Sequence, residues 1–164
     1  MTFAPKHVFV PVAVGPSDDA SLAEQLVDAA CDVLLKTAGK DARITLAYVV
    51  PSNAAYLGVD TGFAPPAYYQ GLADMLEANR ASAQKQLDAL VARAKARDVR
   101  ASSELLDPLE GVGEALAETA RKQSADLIML SSHGRRGLKR FFLGSVAERV
   151  AHLATTPVLI MRAG

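Results

Sequence analysis

Short β-branched runs and longer segments of helical period alternate strictly along this chain, and that order admits few folds. His7 to Val14 is nearly continuous apolar sequence, as befits a strand buried on both faces. Ala42 to Val50, Val99 to Leu106, Ala125 to Leu130 and Pro157 to Met161 supply four more candidate strands. After a cap at Ser17 or Asp18, Leu22, Leu26, Ala29 or Ala30 and Val33 recur at helical spacing, and Gly39 is the expected stop. A long helix is expected from Gly71 to Arg97, with Leu72, Met75, Leu76, Ala83, Leu87, Leu90, Val91 and Ala94 on one face. Val112, Leu116 and Ala120 mark a short helix, and Ser145 to Leu153 a last one with Val146, Val150 and Leu153 as its apolar face. This order predicts an α/β fold: a single open five-stranded parallel sheet with helices on both faces. Ligands of such sheets sit outside the C-terminal strand ends, where the strand order reverses.

Two features sit awkwardly in that scheme. Pro11 interrupts the first strand, and its missing donor favours an irregular or edge position. Pro51 to Tyr69 holds Gly58, Gly62, Pro65 and Pro66 and reads as a long mobile excursion, a class of loop that often serves function. Nothing in the chain reads as an internal repeat or a linker, so residues 1–164 are expected to form a single domain.

Composition narrows the partners. Half the residues are hydrophobic and 22% charged, which is globular rather than disordered composition. The formal net charge of zero supplies no overall field for nucleic acid or anionic membrane. No stretch is apolar for long enough to span a bilayer, and the N-terminus lacks a signal-peptide pattern. The expectation is a soluble, cytoplasmic protein with no nucleic-acid or membrane partner. Cys31, the one cysteine, reads as a small buried residue in a helix rather than a reactive thiol.

The chemistry concentrates in the last third. Leu127-Ile-Met-Leu130 breaks into Ser131-Ser-His-Gly134, a basic loop with Arg135, Arg136, Lys139 and Arg140 follows, and Gly144-Ser145 opens the last helix. Glycines there let backbone N–H groups approach a ligand, and a helix N-terminus attracts phosphate. The same residues also read as an ordinary turn and N-cap beside a solvated basic loop, and residue chemistry leaves both readings open. Other motifs fail. There is no G-x-x-x-x-G-K-[ST] loop, and Gly111-Val-Gly113 lacks a third glycine and follows the third strand. Glu110 and Glu114 read as unpaired helix N-terminal acids. His7, His133 and His152 have no metal-ligand spacing, and no G-x-S-x-G elbow anchors a hydrolase triad.

From Ser131 to Val158 the chain closely resembles the universal stress protein family, whose signature is Gly, two residues, Gly, nine residues, then Gly with Ser or Thr. Here Gly134 is followed by nine residues and then Gly144-Ser145. The Ala-Asp-Leu-Ile run before it, the Thr-Pro-Val-Leu-Ile strand after it and the opening Val-Phe-Val-Pro-Val strand are similar as well. The resemblance implies strand order 3-2-1-4-5, an adenine-nucleotide alpha-hydrolase-like sheet and homodimers through the last strand. It implies binding of ATP in some members, with Mg or Mn accompanying the nucleotide, and none in others. By position, the phosphate side would be Ser131, Gly134, Gly144, Ser145 and Val146, and the base and ribose side Pro11, Val12, Ala13 and Val49. Two residues depart from the pattern. Ser131 replaces the signature's first Gly, and Ala13 stands where ATP-binding members usually carry an Asp facing ribose. The resemblance therefore carries two functions: a stress-response nucleotide-binding module, with at most slow ATP hydrolysis, or a nucleotide-free member acting through protein contacts. An adenylate-transferring enzyme would need a pyrophosphate loop after the first strand, and Gly15-Pro-Ser-Asp18 is too poor in glycine and serine for one.

Overall fold

The computed structural model describes residues 3–15, 18, 20–50, 66–107, 111–132 and 143–162. Five parallel strands form one sheet: β1 (His7–Pro11), β2 (Arg43–Val49), β3 (Arg100–Leu106), β4 (Leu127–Ser131) and β5 (Val158–Met161). Their spatial order is β3-β2-β1-β4-β5. The chain therefore builds outward from β1 in one direction, then returns and builds outward in the other. The reversal falls between β1 and β4, which sets the switch point there.

Four helices fill the crossovers: α1 (Ala20–Thr37), α2 (Pro66–Lys95), α3 (Val112–Lys122) and α4 (Ser145–Leu153). Strand alternation divides the core into two layers. Val8, Val10, Ile44, Leu46, Leu127 and Met129 face one way, with Leu26, Leu34, Leu87 and Leu90 of α1 and α2 against them. Phe9, Ala47, Ile128 and Leu130 face the other, under Leu116, Ala120, Ala147 and Val150 of α3 and α4. Cys31 is fully buried in the first layer, as expected, and burial pushes its thiol up.

Several expectations need correction. Pro11 lies in the central strand, not at an edge, as the last residue of β1. α2 begins at Pro66, where the missing N–H of a first-turn proline costs nothing, so 66–69 belong to the helix. Residues 51–65 lie outside the described part. α1 buries Ala23, Leu26, Val27, Ala30, Cys31 and Leu34; Leu26 and Ala30 are as predicted, while Leu22 and Val33 are only half-buried. α4 buries Ala147 and Val150, while Val146 and Leu153 stay exposed.

Helix ends use three left-handed residues. Gly39 has φ of 55° just past α1, as expected for its stop. Asp98 (φ 60°) and Ser124 (φ 52°) do the same for α2 and α3. Their amides bond Lys95 and Arg121 carbonyls at 3.0 Å, and the next residues, Val99 and Ala125, bond Ala94 and Ala120. Each is a Schellman closure with a buried apolar residue behind it.

Candidate nucleotide site

The C-terminal ends of β1 and β4 lie side by side at the switch point, and the described residues of the predicted site lie on the strand ends and the α4 start. On the β1 side the Val12 amide donates to the Ala47 carbonyl at 2.9 Å, which holds the exit of β1 against β2. Val12 and Val14 are buried, and Pro11 and Ala13 are half-buried. Val49, the last residue of β2, is half-buried and packs against the α3/α4 layer. Gln86 of α2 reaches across and donates from Nε2 to the Val14 carbonyl at 2.7 Å, so the segment after β1 is pinned from outside the sheet.

The turn after β1 folds on itself. The Gly15 amide donates to Asp18 Oδ2 at 2.7 Å, and the Asp18 amide donates to the Gly15 carbonyl at 3.0 Å. A Cβ on Gly15 would lie 2.7 Å from that carboxylate oxygen and 3.5 Å from the Tyr48 hydroxyl. Gly15, Asp18 and Tyr48 thus converge where β1 and β2 end, and a Cβ at Gly15 would displace the carboxylate. Asp18 was expected as a cap; its carboxylate turns back to Gly15. Ser17 lies outside the described residues.

On the β4 side, Ser131 ends the strand in register with Met161, and its φ is not positive. A serine there carries no left-handed strain. The Ser132 amide donates to Met161 at 2.7 Å, and its carbonyl accepts the Gly144 amide at 2.9 Å. That bond sets the N-terminus of α4 against the end of β4. A Cβ on Gly144 would lie 2.7 Å from the same carbonyl oxygen, so the closure requires glycine for space, not for conformation. Gly144 is the N-cap of α4 and gives the first turn no side-chain oxygen. Ser145 and Val146, the first two helical residues, are exposed. Gly134, His133 and the basic loop through Arg140 lie outside the described residues.

The arrangement offers backbone donors and a positive helix end on the β4 side and a mostly apolar rim on the β1 side. The loop-closing Ser132 carbonyl and the bracing Gln86 carry no local sequence signal, since their partners are 12 and 72 residues away. Among the described residues, no three His, Cys, Asp or Glu side chains group as a metal site.

The glycine pair that resembled a nucleotide fingerprint has a packing role. A Cβ on Gly113 would fall 2.5 Å from Cγ and 2.7 Å from Cβ of Arg149, so α3 and α4 touch there. Arg149 then reaches Glu114 at 2.6 Å and holds its carboxyl below the usual range. Glu114 is therefore paired, against expectation; Glu110 lies outside the described residues.

Comparison with known proteins agrees with this fold. The universal stress protein family model matches residues 6–162. A universal stress protein of Methanocaldococcus jannaschii is 49% identical over 55 residues, 33% of this chain and 32% of that protein. The chain aligns with about a third or less of the length of the curated relatives it matches. A solved Burkholderia pseudomallei family member is 27% identical with a TM-score of 0.67, covering 96% of each chain. The fold is also shared with an Archaeoglobus fulgidus family member solved with dAMP, 17% identical, TM-score 0.62, covering 98% of each chain. An Arabidopsis thaliana member solved with AMP is 18% identical, TM-score 0.65, covering 98% of this chain and 93% of that one. A further member, 23% identical with a TM-score of 0.60, was solved with cAMP, covering 97% of this chain and 98% of that one.

Proposed function

Because this chain belongs to the universal stress protein family, we propose that it is a stress-response module that binds an adenine nucleotide, ATP among the candidates, across the β1–β4 switch point. The observation that carries the reading is the glycine-closed start of α4 beside the end of β4, which leaves the helix's first turn without a side-chain cap. Phosphate would be held by Ser131, Gly134, Gly144, Ser145 and Val146, and base and ribose by Pro11, Val12, Ala13 and Val49. Family members solved with dAMP, cAMP and AMP support the ligand class. The described residues fit it: the N-cap glycine brings no side-chain oxygen to the α4 start, and the β1 rim is apolar enough for a base.

The nucleotide would supply the polyphosphate, and any Mg or Mn would arrive with it. The role is binding rather than turnover, with slow hydrolysis at most. We place the protein in the cytoplasm as a homodimer joined through β5. Support for that surface comes from exposed Leu159 on this edge strand and from Leu143, Val146 and Leu153 around the adjoining helix.

Ala13 favours a second reading, a member without nucleotide that acts through protein contacts, because alanine offers ribose no acceptor. Asp18, held at Gly15 beside Tyr48, offers a carboxylate just after β1. Calorimetric titration of purified protein with ATP and AMP decides between them. Saturable binding supports the first reading; none at millimolar nucleotide rejects it.

A further inference from the structure

The end of the sheet opposite the nucleotide site carries a polar row inside an otherwise apolar layer. His7 opens β1 and is buried, and its register partner in β2 is Arg43. An Arg43 guanidinium nitrogen lies 2.8 Å from His7 Nδ1. Guanidinium only donates, so Nδ1 must accept and the proton of the neutral ring must sit on Nε2. Nε2 lies 2.9 Å from Thr45 Oγ1, and Thr45, also buried, stands 3.5 Å from Ser102 Oγ of β3. The neutral imidazole therefore joins β1 to β2 at two points, with β3 next in line.

We propose that His7 is a proton-operated latch: neutral, it ties the central strand to β2 through Arg43 and Thr45; protonated at Nδ1, it releases Arg43. The lone pair that Arg43 uses is the one a proton would take. After protonation Nδ1–H needs an acceptor, and the cation stands beside a second cation. Other charged groups also stand at this end. The Asp126 carboxylate accepts the His7 amide at 2.8 Å and the Lys6 amide at 2.9 Å. Arg100, beside Arg43 in register, donates to the Asp41 carbonyl, and Arg121 and Lys122 pair with Glu118 on their own helix. Backbone groups of Gln123 and Ser124, past the end of α3, favour the protonated ring.

The balance runs against the cation. Burial first, then the Arg43 charge, holds the imidazole below its ordinary 6.5, while Asp126 and the Gln123 and Ser124 backbone pull it back up. Because the folded-state value lies below the unfolded one, the unfolded chain binds more protons in between. Stability from the latch is full above the unfolded value and is lost as pH falls through 6.5 toward the folded value. This holds whether or not the protein binds nucleotide.

Two measurements on the full chain test the latch. Nitrogen-15 histidine NMR should show His7 as the Nε2–H tautomer at pH 7.5, with a midpoint below 6.5 that rises in Arg43→Met. Urea melts from pH 8 to pH 5 should show the wild-type midpoint falling on acidification and His7→Gln losing most of that fall. A His7 midpoint at or above 6.5, one unmoved by Arg43→Met, or an undiminished acid slope in His7→Gln would overturn the latch. Should His7→Gln not fold, the NMR titrations of wild type and Arg43→Met still decide.

Discussion

Ser145→Glu separates ligand recognition from folding at the start of α4. Ser145 is exposed and is the first helical residue, so a longer side chain meets no packing there. A carboxylate in a helix's first turn interacts favourably with the macrodipole, by about 0.3–1 kcal/mol. Against a bound phosphate the same charge is repulsive: at 4 Å, about 1 kcal/mol in bulk water and about 4 kcal/mol at the effective dielectric near a protein surface. Ser145 faces solvent, so we expect the lower part of that range, a roughly five- to fiftyfold loss of affinity. Stability and binding should therefore move in opposite directions. Gly144→Ala should behave otherwise. Its Cβ would lie 2.7 Å from the Ser132 carbonyl oxygen that accepts the Gly144 amide. Displacing that oxygen weakens the loop closure, at a cost of about 1–3 kcal/mol, so both folding and binding should suffer. Calorimetry with ATP and thermal melts on the same three samples reads both quantities. If wild type binds and Ser145→Glu keeps its affinity while gaining stability, the phosphate does not sit at the α4 N-terminus. If Gly144→Ala melts like wild type, the loop closure is not tight.

Gly113→Ala should destabilise by about 1–2 kcal/mol, because overpacking against Arg149 Cβ and Cγ outweighs the helix-propensity gain of about 1 kcal/mol. Chemical denaturation of Gly113→Ala, Arg149→Ala and the double variant should show coupling; strict additivity would contradict the contact. Leu159→Arg places charge on an exposed edge-strand position and should shift sedimentation from dimer to monomer at micromolar concentration without unfolding the chain. A wild type that is already monomeric would reject the β5 interface.

The sheet was legible because its strands are β-branched runs with long-range consequences built into a local pattern. Their order was not: it came with the family resemblance, since periodicity does not say which strands pair. Helix faces were misread in part in both α1 and α4. A search for large apolar residues passed over Ala23 and Ala147, which are buried beside Leu26, Val27, Leu34 and Val150. Asp98 and Ser124 end helices in a conformation that sequence assigns to glycine. Within the site, the spacing to Gly144-Ser145 was legible, but the Ser132 and Gln86 contacts were not. His7 was read as one of three scattered histidines, and only register brings Arg43 and Thr45 to it.

Pro11 carries the relation between strand order and site furthest. Read along the sequence, a proline argues against a central strand, yet β1 is the central strand. Direction resolves the conflict. The Val12 amide points to β2, where it meets the Ala47 carbonyl. Successive amides alternate sides, so the nitrogen of Pro11 faces β4. The β1–β4 ladder pairs Val8 with Leu127 and Phe9 with Ile128 and goes no further. Proline thus removes a donor at the end of that ladder; if β1 and β4 part at this point, the crevice of the switch point opens there. Pro11→Ala should then restore no ladder bond. It should cost about 0.4–1 kcal/mol, mainly by giving the unfolded chain more freedom. Hydrogen exchange should find the new amide at position 11 poorly protected and that of Val12 still protected. A position-11 amide as protected as Val12, together with a gain of about 1 kcal/mol in stability, would mean that the ladder continues and that β1 and β4 enclose no crevice there.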